Sequence, residues 1–249
     1  MNKTWIRILL IGLLLALVAG AFAQSMQIPK LSVELGGTKN GNQVSSSLQI
    51  LALLTVLSLA PAILILTTAF TRITIVLSFA RNAIGAQNIP PNQVMIGLSL
   101  FLTFFVMGPT LKEINTTAIQ PLSAGKIQFD QALTNAQKPM RAFMIKNTYE
   151  KDLILFLNIS KSKPKSREDV EMTALIPAFI ISELKTAFII GFYIFVPFLI
   201  IDLIVASGLM SMGMMMLPPT VVSLPAKLLV FILADGWHTL VQTILSGYA

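Results

Sequence analysis

Three ionisable side chains, Glu183, Lys185 and Asp202, interrupt the apolar run at residues 177–219. A charge in such a run is costly unless it meets protein, a partner charge or a water-filled path. Ser182-Glu183-Leu184-Lys185 also matches the S-x-x-K spacing of serine hydrolases that use a lysine base. An i, i+3 pair puts hydroxyl and amine on one helix face, which that chemistry needs. The companion elements are absent, because no S-D-N occurs and Lys185-Thr186 is followed by Ala187. A structural polar group in a helical assembly accounts for the pattern better. His238 is the only histidine, with Asp235 three positions before it. Alone it suits a helix-surface or interface side chain better than a catalytic triad. There is no cysteine, and no P-loop or dinucleotide fingerprint follows a plausible strand. No enzyme, cofactor or metal site is expected.

The three charges form the constellation of interest. Glu183 and Lys185 are two positions apart and point to different helix faces, so they do not readily satisfy each other. Glu183 and Asp202 are separated by more than about five helical turns, so one straight helix cannot join them. Their partners must come from a bend, another element or another subunit. The economical expectation is an inter-subunit network in a ring of identical chains, which makes all three interface candidates. A proton relay in an ion-coupled transporter is the rival.

The run closes on a second feature. Met210, Met212, Met214, Met215 and Met216 crowd between Gly208, Gly213 and Pro218-Pro219. Glycine and proline favour a bent connection, and methionine is an adaptable, polarisable side chain. The expectation is a deformable seal lining a pore rather than core filling. Phe188, Phe192 and Phe195 on the preceding helix are expected to help narrow the path.

Around these residues the chain is of membrane class. Apolar residues make up 55% and charged residues 12% of 249, against about 25% charged in ordinary soluble domains. The net charge of +7 is not a continuous basic surface, so no nucleic acid is implied. Residues 1–23 have the anatomy of a cleavable signal peptide: Lys3 and Arg7, an apolar stretch at 8–18, then Ala21-Phe22-Ala23. Cleavage is expected between Ala23 and Gln24. Residues 24–47 read as a flexible lead-in, and 48–111 as a first hydrophobic helical region with Pro61 inside its first run. Most charges fall in 112–172, and 173–249 form a second hydrophobic region around the methionine loop. A cleaved signal places the 112–172 block outside the cytoplasm, although its Lys and Arg content would favour the inside. Its run of Lys161, Lys163, Lys165 and Arg167 reads as a solvated loop, with anionic lipid or partner contact as the lesser reading. The expected fold is an all-α membrane-type protein with about four long hydrophobic helices as hairpins. A small, mainly helical extracytoplasmic insertion is expected between the second and third.

Long ordered blocks then carry a family resemblance. SELKTAF (182–188), PFLIIDLIVAS (197–207), GMMMLPP (213–219), LADGWHTLV (233–241) and FTRITIVLSFARNAIG (70–85) resemble the signature segments of the FliP family of flagellar biosynthesis proteins. Residues 97–109 match its first membrane region, and the likeness covers roughly 45–111 and 170–247. Ile189 departs from it, standing where that signature is expected to hold a polar side chain. The resemblance implies a core subunit of the flagellar type III export gate, multi-pass in the bacterial inner membrane at the flagellar basal body. It implies a homopentamer built with FliQ and FliR, alongside FlhA and FlhB, passing unfolded flagellar proteins. Under it the five methionines become gasket candidates, and Glu183, Lys185 and Asp202 assembly candidates. The homologous injectisome subunit is the nearest alternative.

Overall fold

The apolar runs of the chain fold as helices joined by short loops, and no strand forms among the described residues. The computed structural model describes residues 41–86, 89–214 and 216–248, without the side chains of 41–50, 52, 56 and 60. The signal peptide, its Ala23-Gln24 junction and Met215 lie outside the described residues. The chain divides into two units, residues 1–52 and 53–249, and all packing described below lies within the second.

Helix α1 is Gly41–Leu66, so helix begins within the stretch expected to be a flexible lead-in to residue 47. Thr67 closes it by turning its hydroxyl onto the Ile63 carbonyl at 2.8 Å. Helix α2, Phe70–Ile84, follows at 61° to the 53–66 segment and ends at Gly85, whose φ of 79° permits the left-handed cap. Helix α3, Asn92–Ile114, does not stop where the composition changes at 112. A widened turn at Asn115–Ile119 carries it into α4, Gln120–Ser123, making one helical stretch of 32 residues. Its buried Ser99 and Thr103 satisfy their hydroxyls on carbonyls one turn back, Met95 at 2.8 Å and Ser99 at 2.6 Å.

The charged block forms α5, Phe129–Lys146, and α6, Glu150–Ser160. Helix α7 is Met172–Ser211, 40 residues, or about 60 Å at 1.5 Å per residue. That is about twice a hydrocarbon core of ~30 Å, so the helix cannot lie wholly within one. After the methionine loop come α8, Pro219–Leu233, and α9, Gly236–Ser246, bent by 63° at Ala234-Asp235. The sequence reading takes this stretch as one long element. The break is built into Asp235, at φ 47°, and Gly236, where a Cβ would come within 2.2 Å of the Phe231 ring.

Helices α3–α4 and α7 are long and apolar enough to cross a membrane, and the bent pairs α1–α2 and α8–α9 raise the total to four if each is one span. Helix α2 forms the principal core: Ile73, Val76, Leu77 and Ala80 pack with Met95 of α3, Ala187 of α7 and Ile244 of α9. A second core packs the insertion on the first part of α7, with Met144, Leu153 and Val170 against Leu175, Ala178 and Phe179. The insertion therefore leans on α7, as its short length requires.

Candidate functional site

Helix α2 puts a cation where hydropathy alone would put none. Arg72, in its first turn, is buried, and Glu183 on α7 is fully buried within one chain. The guanidinium forks onto the carboxylate: Nε donates to Oε2 at 3.0 Å and Nη2 to Oε1. Nη1 donates to the Gly247 carbonyl at 3.0 Å. Tyr248 completes the cluster. Its hydroxyl donates to Glu183 Oε2 at 2.6 Å, and its ring lies 3.9 Å beneath the Arg72 guanidinium. Burial first, and the Glu183 carboxylate second, push the Tyr248 phenol well above its ordinary range, so it stays a proton donor. Buried charge is tolerable here because each atom of the pair has a partner.

Asp202, further along α7, is held the same way by α8. Lys227 Nζ donates to Oδ2 at 2.5 Å and the Ser223 hydroxyl to Oδ1. Ser223 and Lys227 are four apart, so they share a helix face. Lys227 also reaches the end of α2, where a Cβ on Gly85 would lie 3.9 Å from its Nζ. Thus α2 is tied at its start through Arg72 and lies against a second charge pair at its end.

The inter-subunit ring expected to satisfy Glu183 and Asp202 is corrected on this point: both find their countercharges on other elements of the same chain. Glu183 keeps no exposed surface for a neighbour, and both oxygens of Asp202 are engaged, so neither of these two offers a free carboxylate to the proton-relay reading. Lys185 differs. It is exposed, with its ammonium 4.7 Å over the Tyr149 ring.

Ser182 is fully buried; its hydroxyl donates to Asp152 Oδ2 at 2.7 Å and accepts the Tyr149 N–H at 3.0 Å. It pins the start of α6 to α7, and among the described residues no hydrogen bond joins it to Lys185. The S-x-x-K pattern therefore marks a structural hydroxyl. His238 and Asp235 are both exposed, and no hydrogen bond between them occurs among the described residues. Among those residues, no three His, Asp or Glu side chains gather to hold a metal.

At its C-terminus α7 closes in a Schellman turn. Gly213, at φ 75°, donates to the Met210 carbonyl at 3.0 Å, and Met214 N–H reaches Leu209 at 3.0 Å. Pro219 then opens α8 at its first position, where a missing N–H is harmless. Met210, Met212 and Met214 are exposed in one chain, and Met216 is 99% exposed. Phe188 and Phe192 are exposed too, with Phe188 edge-on to Phe79 at 5.2 Å. They stand about 27 Å or more back along α7 from Met210, so they mark a different level from the loop. Phe195 packs in the small cluster around Ala83, Ile84 and Phe198 instead of facing outward.

Arg72, Tyr248, Ser223 and Lys227 are the partners the sequence reading misses. A signal for two of them is present: Arg72 opens α2, and Lys227 is the lone charge in the run 219–233. Lone cations in apolar helices call for lone anions in others.

A model of the FliP family matches residues 53–244, which contain both charge pairs and the methionine loop. The chain is similar to the flagellar biosynthetic protein FliP of Bacillus subtilis (strain 168), 56% identical over 217 residues, 87% of this chain and 98% of the relative. It is 50% identical over 211 residues to that of Pectobacterium carotovorum subsp. carotovorum, covering 84% of this chain and 82% of the relative. It is 45% identical over 225 residues to that of Aquifex aeolicus (strain VF5), covering 89% and 92%. With the family matched across nearly all the described helices, the chain belongs to the FliP family.

Proposed function

We propose that the chain is a core subunit of the flagellar type III protein export gate, helping to form the pore through which unfolded flagellar proteins leave the cell. The observation that carries this reading is the family match across 53–244, which takes in both hydrophobic regions and the loop between α7 and α8. The surface of one chain supports it. Phe101, Phe104 and Phe105 on α3, and Phe192, Tyr193 and Ile204 on α7, stay exposed, so much apolar area is left for lipid or other subunits.

In this reading five copies assemble with FliQ and FliR in the bacterial inner membrane, at the flagellar basal body and beside FlhA and FlhB. The signal peptide is removed between Ala23 and Gln24, and the 112–172 insertion lies outside the cytoplasm. Met210, Met212, Met214, Met215 and Met216 form a gasket, since flexible thioether side chains can close around cargo of varied shape. Phe188 and Phe192 narrow the path at a separate level. Lys185, exposed on α7, is the charge best placed to reach a neighbouring subunit. Glu183 and Asp202 serve assembly by holding α7 in shape.

The export reading is tested in a strain lacking its own copy, by measuring secretion of hook and filament subunits with and without this chain. Secretion restored only by the chain is expected; secretion without it overturns the reading. The gasket is tested by replacing Met214, Met215 and Met216 together with alanine. Assembly is expected to persist while small solutes leak through the closed gate, and a tight gate in that variant counts against a seal.

A further inference from the structure

Between Asp202 and Lys227 the chain carries no charged side chain, and it has no cysteine anywhere. The softest groups in that stretch are therefore the thioethers at its turn. Among the described methionines, only those of the turn are exposed: Met210 at 62%, Met212 at 67%, Met214 at 45% and Met216. Met140 and Met172 are half-buried, and Met95, Met107 and Met144 are at most 5% exposed. The open thioethers are thus gathered at residues 210–216, and the closed ones lie in the packed part of the chain.

The turn does not need those thioethers to keep its shape. Backbone bonds hold it, from Gly213 N–H to the Met210 carbonyl at 3.0 Å and from Met214 N–H to that of Leu209 at 3.0 Å. Gly213 supplies the left-handed φ of 75°, and Pro219 fixes the start of α8. A change in side-chain polarity here leaves the fold standing. The same change at Met107 or Met144 would put a polar group into packed surroundings. We propose that the methionine turn is a site of S-oxidation, at which hydrogen peroxide converts exposed thioethers to sulfoxides and loosens the closed gate.

A sulfur lone pair forms the S–O bond as the peroxide O–O bond breaks. The departing hydroxide takes the proton of the transferred hydroxyl and leaves as water. Sulfur loses two electrons and the peroxide gains them. A methionine sulfoxide reductase reverses the step: the oxygen leaves as water and a dithiol becomes a disulfide. A hydrophobic constriction closes by excluding water. A sulfoxide is polar and holds water, so it opposes that closure where a thioether favours it. The gating half of this inference rests on the reading of the turn as a seal; the selective oxidation does not.

The test treats the assembled particle with graded hydrogen peroxide and reads sulfoxide at each methionine by peptide mass mapping. Met210, Met212, Met214 and Met216 should oxidise about tenfold faster than Met95, Met107 and Met144, which meet solvent only through local opening. Equal rates overturn the proposal. Leak of a small solute through the closed gate is then read before oxidation, after it, and after treatment with methionine sulfoxide reductase and a dithiol. A severalfold rise that the reductase reverses is expected, and this arm needs no variant. With Met210, Met212, Met214, Met215 and Met216 all replaced by leucine, peroxide should not change the leak from that variant's own baseline. An oxidised turn with an unchanged leak, or an equal rise in the leucine variant, overturns the proposal. If the Met214→Ala, Met215→Ala, Met216→Ala gate leaks and the sulfoxide gate does not, the oxidation inference alone fails. If neither leaks, the seal reading fails with it.

Discussion

The Tyr248 hydroxyl donates at 2.6 Å to Glu183 Oε2, the same oxygen that Arg72 Nε holds at 3.0 Å. Three segments thus meet on one carboxylate: the start of α2, the first third of α7 and the residues after α9. Tyr248 also stacks on Phe143 of α5, with ring centroids 6.0 Å apart, so the insertion is joined to the same point. Tyr248→Phe keeps both ring contacts and removes one hydrogen bond to a charged group, which should cost about 1.5–3 kcal/mol. Thermal unfolding of the purified protein checks this; an unchanged midpoint would show that the phenol contributes nothing to the cluster.

Breaking the buried pair from one side should be worse than removing both charges. Arg72→Met or Glu183→Leu alone leaves an uncompensated buried charge and should destabilise by about 3–5 kcal/mol. The double variant should lose much less than the two single losses added together. A double-mutant cycle on unfolding free energy reads the coupling, and strict additivity is the result that contradicts the pairing.

Asp202 and Lys227 join α7 to α8 across the methionine loop. Asp202→Asn should therefore lower both particle stability and export, because Lys227 is left buried without its countercharge. An ion-coupled role predicts a different outcome, lost export from a particle of normal stability and yield. Measuring secretion and melting on the same variant separates the two.

Gly191 of α7 lies directly against the Phe79 side chain of α2. A Cβ there would stand 2.6 Å from the Phe79 ring, inside any real contact distance. Gly191→Ala should therefore force the two helices apart, at about 1–3 kcal/mol for overpacking, despite alanine's better helix propensity. Adding Phe79→Leu should recover part of the loss. If Gly191→Ala alone raises the melting temperature, the close approach is not a constraint.

Much of this protein is legible in its amino-acid sequence. Composition makes it helical and membrane-class. Gly213 with Pro218-Pro219 ends α7 and starts α8 through local backbone chemistry. The isolation of Glu183, Lys185 and Asp202 in apolar sequence shows that each needs a partner. Spacing along a helix also excludes the wrong partners, since Glu183 and Lys185 diverge by geometry alone. Selection of the right ones came only with the tertiary structure. Arg72 and Glu183 are 111 residues apart, and no local periodicity records which distant cation meets which anion. That choice follows from packing: Gly191 and Ala187 let α2 lie close on α7, and this approach brings Arg72 to Glu183. Likewise the sequence by itself determined a bend at Gly213 and Pro218-Pro219, while the fold decided that the side chains of Met210, Met212, Met214 and Met216 stand out from the chain, because the Schellman turn leaves no core around them.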